Sequence, residues 1–177
     1  KGAYKTYREM YKALLNDGSV YTAGFSKAMT KLGNESKEIF YDCESMQRRW
    51  AVENNLDVGD DWKPAIAISQ LKKFSPDVLY FQDIFTFPVK IRRQVKALVP
   101  SAKIVIIQKG YPGETGDLSD ADILLVSSPI LYERYREQSP HLLYHSFDAE
   151  ILHSLMGHQS IEREQLVFAG SSRAPED

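Results

Sequence analysis

The sequence predicts an α/β fold, with a parallel sheet flanked by helices. Two observations carry this. From Pro64 onward, short apolar runs alternate with helical patterns at regular spacing, the signature of right-handed βαβ crossovers. The apolar runs themselves (DVLYF, KIVII, DILLV) are nearly continuous, as expected where both faces of a sheet are covered. The chain has 177 residues, enough for a sizeable core.

The elements follow in order. Tyr4, Tyr7, Tyr11 and Leu14 share one helical face, and Asn16-Asp17-Gly18 breaks that helix. A second helix is expected from about Ser19 to Leu32, with Phe25, Met29 and Leu32 inward and Gly33 as its stop. Lys37–Asp42 reads as a strand. Glu44–Asn54 reads as a helix with Met46 and Trp50 inward, followed by the acidic loop Asp57–Asp61. Pro64 suits the first turn of a helix that ends before Pro76. Asp77–Asp83 is a strand. Pro88 opens a helix with Ile91, Val95 and Leu98 inward and Lys90, Arg92, Arg93 and Lys96 in solvent. Lys103–Gln108 is a strand, followed by the Gly/Pro-rich loop Gly110–Ser119. Asp122–Val126 is a strand, Pro129–Glu137 a helix, His141–His145 a strand and Asp148–Met156 a helix. The domain so defined covers residues 1–157. A polar linker, 158–165, leads to a last apolar run, QLVFAG, which reads as the start of a second domain at 166–177. Two helices precede the first strand, so either a further strand lies upstream of Lys1, which is the favoured expectation, or the sheet is built differently.

Composition excludes several classes of function. A net charge of -2 does not favour general binding to nucleic acid or membrane surfaces. No apolar run approaches the roughly 20 residues needed to span a bilayer. No basic-then-apolar leader opens the chain, so a cytoplasmic protein is expected. Cys43 is the single cysteine, and His141, His145, His153 and His158 lack metal-ligand spacing, so no metal is expected.

In open α/β sheets, ligands bind beyond the carboxyl ends of the strands. Those ends carry Gln82-Asp83, Lys109-Gly110, Ser127-Ser128 and His145-Ser146, and the early segment with Tyr21 and Thr22 precedes a helix. Asp83 has two readings: a general base for a hydroxyl nucleophile, or a cap on the next turn. Lys109 reads as an anion-binding point charge or a solvated loop lysine. Ser127-Ser128-Pro129 has the pattern of an N-cap followed by a first-turn proline, whose free amides also suit an anion.

The ordered motifs PDVLYFQD, KIVIIQKG, ADILLVSS, HLLYHSFDAEIL and QLVFAGS resemble the N-terminal half of GT-B glycosyltransferases. The similarity is to the family 4-like group and its CgeB-like branch. The segments SVYTAGFSKAMTKLG and ESMQRRWAVENN also look like that branch. The resemblance implies a bacterial enzyme with two Rossmann-like domains facing a cleft. The first would hold a sugar or glycoconjugate acceptor, the second a nucleotide-diphosphate sugar donor, without a metal. Carried onto this chain, the acceptor-side residues are Tyr21, Thr22, Gln82, Asp83, Lys109, Gly110 and Ser127. Lys109 stands where the family has histidine. That departure leaves open a non-catalytic ligand-binding or assembly module, or another GT-B-shaped enzyme such as a sugar-nucleotide epimerase.

Overall fold

Thr6 starts the first helix with a reciprocal capping box. Its hydroxyl accepts from the Glu9 amide at 3.2 Å, and the Glu9 carboxylate accepts from the Thr6 amide at 3.0 Å. The helices are α1 (Tyr7–Leu15), α2 (Gly24–Lys31), α3 (Glu44–Glu53), α4 (Trp62–Phe74), α5 (Val89–Leu98) and α6 (Pro129–Arg134). The strands are β1 (Val78–Phe81), β2 (Ile104–Lys109), β3 (Ile123–Val126) and β4 (His141–Leu142). The computed structural model describes residues 4–16, 24–82, 84, 87–111, 113 and 116–144. The expected helix at 148–156, the linker and the QLVFAG run lie outside them, as does the domain boundary.

All four strands pair in parallel, in the order β1-β2-β3-β4. Tyr80 lies opposite Ile106, and Lys109 opposite Val126. The predicted α/β fold with a parallel sheet and flanking helices is therefore present.

Burial alternates along the strands. Leu79, Phe81, Val105, Ile107, Leu124 and Val126 are buried together with Ile68 of α4, Val95 and Val99 at α5, and Leu131 of α6. Complete burial of each such side chain stabilises the fold by about 1.5–3 kcal/mol. Among the described residues the other face is only half covered. Val78 and Ile104 are exposed, and Tyr80, Ile106, Ile123 and Leu125 are half-buried. Phe25 of α2 meets Tyr80 there, with ring centroids 5.0 Å apart. Among the described residues one face is sealed and the other is covered in part, where the apolar runs led to an expectation of cover on both. A second cluster, Trp50, Ala51, Trp62 and Ile66, joins α3 to α4, with Tyr7 of α1 packed against it.

The segment 37–42 is not a strand. It has no ladder partner among the described residues and is held by side chains instead. Glu38 accepts from the Tyr11 hydroxyl at 3.3 Å and from the Ser26 amide at 3.2 Å. Buried Gln47 donates to the Phe40 carbonyl at 2.9 Å and accepts from Gln70 at 2.9 Å. The Gln47 bond satisfies the Phe40 carbonyl, which the Cys43 amide also reaches at 3.2 Å, in place of a sheet neighbour. The second helix is shorter than expected within the described residues and has no buried residue, with Leu32 exposed beyond its end.

A second correction concerns α5. Arg92, expected in solvent, is 1% exposed, while Leu98, expected inside, is exposed and Val99 takes its place. Arg92 turns inward because polar groups await all of its nitrogens. Nη2 lies 2.6 Å from Oδ1 of Asp120 and Nε 2.8 Å from Oδ2. Nη1 donates to the Phe87 carbonyl at 2.6 Å, and Nη2 also donates to the Asp117 carbonyl at 2.7 Å. Arg93 then pairs with Asp117 at 2.9 Å, and Lys96 with Asp122 at 3.1 Å. Parallel neighbours usually need a crossover helix. No helix is present among the described residues of the β2–β3 connection, 110–122, and this ionic seam with buried Leu118 anchors it to α5.

The remaining differences are local. The helix expected through Glu137 ends at Arg134 and tightens into a 3₁₀ turn, Arg136–Gln138. The strand expected through His145 is two residues long within the described region.

Candidate functional site

Helix α4 runs into β1, and α5 runs away from it, so the amino ends of both helices lie at the carboxyl edge of the sheet. The site predicted from the strand ends can be judged there. Asp83, Tyr21 and Thr22 lie outside the described residues. Gln82, Lys109, Gly110 and Ser127 lie within them.

Lys109, Gly110 and Ser127 form one junction. Ser127 follows β3 and donates its hydroxyl to the Gly110 carbonyl at 2.6 Å. Its amide reaches the Lys109 carbonyl at 3.3 Å. The next residue, Ser128, caps α6 as predicted: its hydroxyl accepts from the Leu131 amide at 3.3 Å, with Pro129 in the first turn. The capping reading therefore describes Ser128, while Ser127 ties two strand ends together.

The reading of Lys109 as a solvated loop residue is overturned. It is the last residue of β2 and is completely buried. Strand alternation sends its side chain to the face shared by Val105 and Ile107. Burial lowers the pKa of its ammonium, and the nearby Arg134 charge pushes in the same direction. Its Nζ lies 5.5 Å from the centre of the Tyr111 ring, within cation–π range.

Gln82 belongs to a separate group. It is exposed one residue past β1, and its side chain hydrogen-bonds the Tyr80 hydroxyl. That hydroxyl also donates to Gln108 Oε1. Burial nevertheless holds the Tyr80 phenol above its ordinary pKa. Tyr80 and Gln108 lie on the half-covered face, opposite Lys109. The carboxyl edge thus presents a neutral amide–phenol group on one face and a buried cation with its serine junction on the other.

Sequence reasoning missed Tyr80, Gln108, Tyr111 and Arg134. Tyr80 carried a usable signal, since it lies two residues before Gln82 on the same strand face, and Gln108 carried none of that kind. Tyr111 lies two residues past Lys109 and was legible as its neighbour, while Arg134 carried no signal, because its proximity to Lys109 arises from tertiary folding.

A cleft of about 610 Å³ lies elsewhere, at the amino ends of β3 and β4, lined by residues including Asp117, Ser119, Asp122, Gln138 and His141. Its carboxylates are engaged. The Asp122 carboxyl is held below the usual range by the Val105 amide and Lys96, and that of Asp117 by Ser119 and then the Arg93 and Arg92 charges. Parallel sheets bind ligands at the other edge. Among the described residues, no three His, Cys, Asp or Glu side chains converge on a metal-sized site. No helix there is long and apolar enough to cross a membrane.

Compared with known proteins, the chain matches no family model, no curated protein and no solved structure.

Proposed function

We propose that the chain is the acceptor-side domain of a nucleotide-sugar-dependent glycosyltransferase, working in the cytoplasm beside a donor-binding domain that begins near residue 166. The observation that carries the reading is the junction of Lys109, Gly110 and Ser127 at the carboxyl edge of an all-parallel sheet. Ligands of open α/β sheets occupy that edge. The order of strand motifs supports the same reading.

In this proposal the Gln82–Tyr80–Gln108 group supplies neutral hydrogen bonds to acceptor hydroxyls. Asp83 takes the acceptor proton. Lys109, Gly110 and Ser127 hold the shape of the adjoining edge. Stabilising the departing diphosphate requires cations or donors from the second domain, so these 177 residues alone are expected to transfer no sugar.

The second reading, a non-catalytic ligand-binding or assembly module, is favoured by one observation. Lys109 stands where the resembled family has histidine, and it is buried rather than presented to solvent.

Glycan-array binding by the chain separates the readings from an unrelated function. The expected result is capture of a saccharide acceptor, weakened by Gln82→Ala. No saccharide binding by the chain, together with no sugar transfer by the complete protein, overturns the transferase reading, whereas unchanged turnover after Asp83→Asn removes only Asp83 as the base. Saccharide binding with no transfer by the complete protein favours the module.

A further inference from the structure

Arg92 touches two different loops. Through Nη1 it holds the Phe87 carbonyl, in the connection that leaves β1 at Gln82. Through Nε and Nη2 it holds Asp120 and the Asp117 carbonyl, in the connection that leaves β2 at Gly110. The guanidinium is 1% exposed and the Asp120 side chain 6%, so water does not readily replace either set of bonds. A guanidinium is planar and presents its donors in a fixed fork. One loop therefore cannot shift relative to α5 without disturbing the partner geometry of the other.

We infer that Arg92 is a positioning residue that mechanically couples the two loops leaving the carboxyl ends of β1 and β2. It reaches no ligand itself. It sets the spacing between the β1 edge, with Gln82, and the β2 edge, with Lys109 and Gly110. The inference rests on the hydrogen bonds alone and holds whichever ligand occupies that edge. Arg93 provides an internal contrast: its bonds go to Asp117 and Ser119, both in the β2–β3 connection.

The test is residue-resolved hydrogen exchange on the chain and on Asp120→Asn, Arg93→Ala and Arg92→Lys. The amides of Ile91 and Arg92 donate to the Pro88 carbonyl at 2.9 and 3.1 Å and report on the anchoring of the β1–α5 loop. The Ala121 amide donates to the Leu118 carbonyl at 3.0 Å and reports on the other loop. Coupling predicts that Asp120→Asn and Arg92→Lys speed exchange at both reporters by about tenfold or more, while Arg93→Ala speeds only the β2–β3 side. Acceleration confined to Ala121 in Asp120→Asn, or equal effects of Arg93→Ala on both reporters, overturns the inference. Should Asp120→Asn fail to fold, Asp120→Glu retains the charge at a displaced position. Amide chemical-shift changes at both reporters then support coupling, and changes at Ala121 alone refute it.

Discussion

Arg92 and Asp120, twenty-eight positions apart in sequence, meet as a bidentate ion pair inside the protein, with contacts of 2.6 and 2.8 Å. Removing one member leaves the other charged, buried and unpaired, which costs far more than the pair contributes net. Asp120→Ala or Arg92→Met should therefore lower unfolding free energy by about 3–5 kcal/mol, read by urea denaturation. The double variant should lose less than the sum of the two. Strict additivity in that cycle would show that the two side chains do not interact.

Acid stability should depend on Asp122. Its carboxyl is held below the ordinary value of 3.8 by the Val105 amide first and Lys96 second. A depressed folded pKa contributes stability that is complete above the unfolded value and lost as pH falls through the folded one. Thermal midpoints should thus decline below about pH 5, the approach to the carboxylate range. Asp122→Asn should flatten that decline while leaving pH 7 folding intact. An unchanged acid slope in the variant would contradict the assignment.

Lys109 predicts a trend at the opposite end of the pH scale. Its folded pKa lies below 10.5, so between the two values the unfolded chain binds the extra proton. Stability should therefore rise with pH from the lowered folded value toward 10.5. Urea midpoints measured across the alkaline range should show that rise in the native protein, and Lys109→Met should reduce it. A lysine titrating as if solvated would give no such component.

Gln47 is the pin of the irregular 37–42 segment. Gln47→Leu keeps the bulk but strands the Gln70 amide and leaves the Phe40 carbonyl with the Cys43 amide at 3.2 Å, at a cost of about 1–3 kcal/mol. Proteolysis should then open the chain first around Glu38–Tyr41. Cleavage elsewhere, or unaltered stability, would assign the anchoring to Glu38 instead.

What could be read from the sequence follows the range of the interactions involved. The four strands were legible because each is a local apolar run, and the Ser128 cap because its motif is contiguous. The carboxyl-edge junction was legible in outline, since strand ends converge in any parallel sheet. The segment 37–42 misled because KEIFYD has strand composition, yet Gln47 holds its Phe40 carbonyl and Tyr11 and Ser26 hold its Glu38 carboxylate. Arg92 misled for a similar reason. Helical periodicity assigns a charged residue to solvent, and only Asp120, far along the chain, reverses that preference. Lys109 looked like loop because the strand runs one residue further than its apolar stretch.

The link between β2 and β3, which has no helix among its described residues, also bears on the order of folding. A crossover helix can form early from local contacts, whereas the pairs that hold this link, Arg92–Asp120 and Arg93–Asp117, are long-range and should form late. Interactions formed that late are largely missing from the folding transition state, so weakening them speeds unfolding more than it slows folding. The ionic seam along α5 should accordingly set how long the native protein persists more than how quickly it is reached.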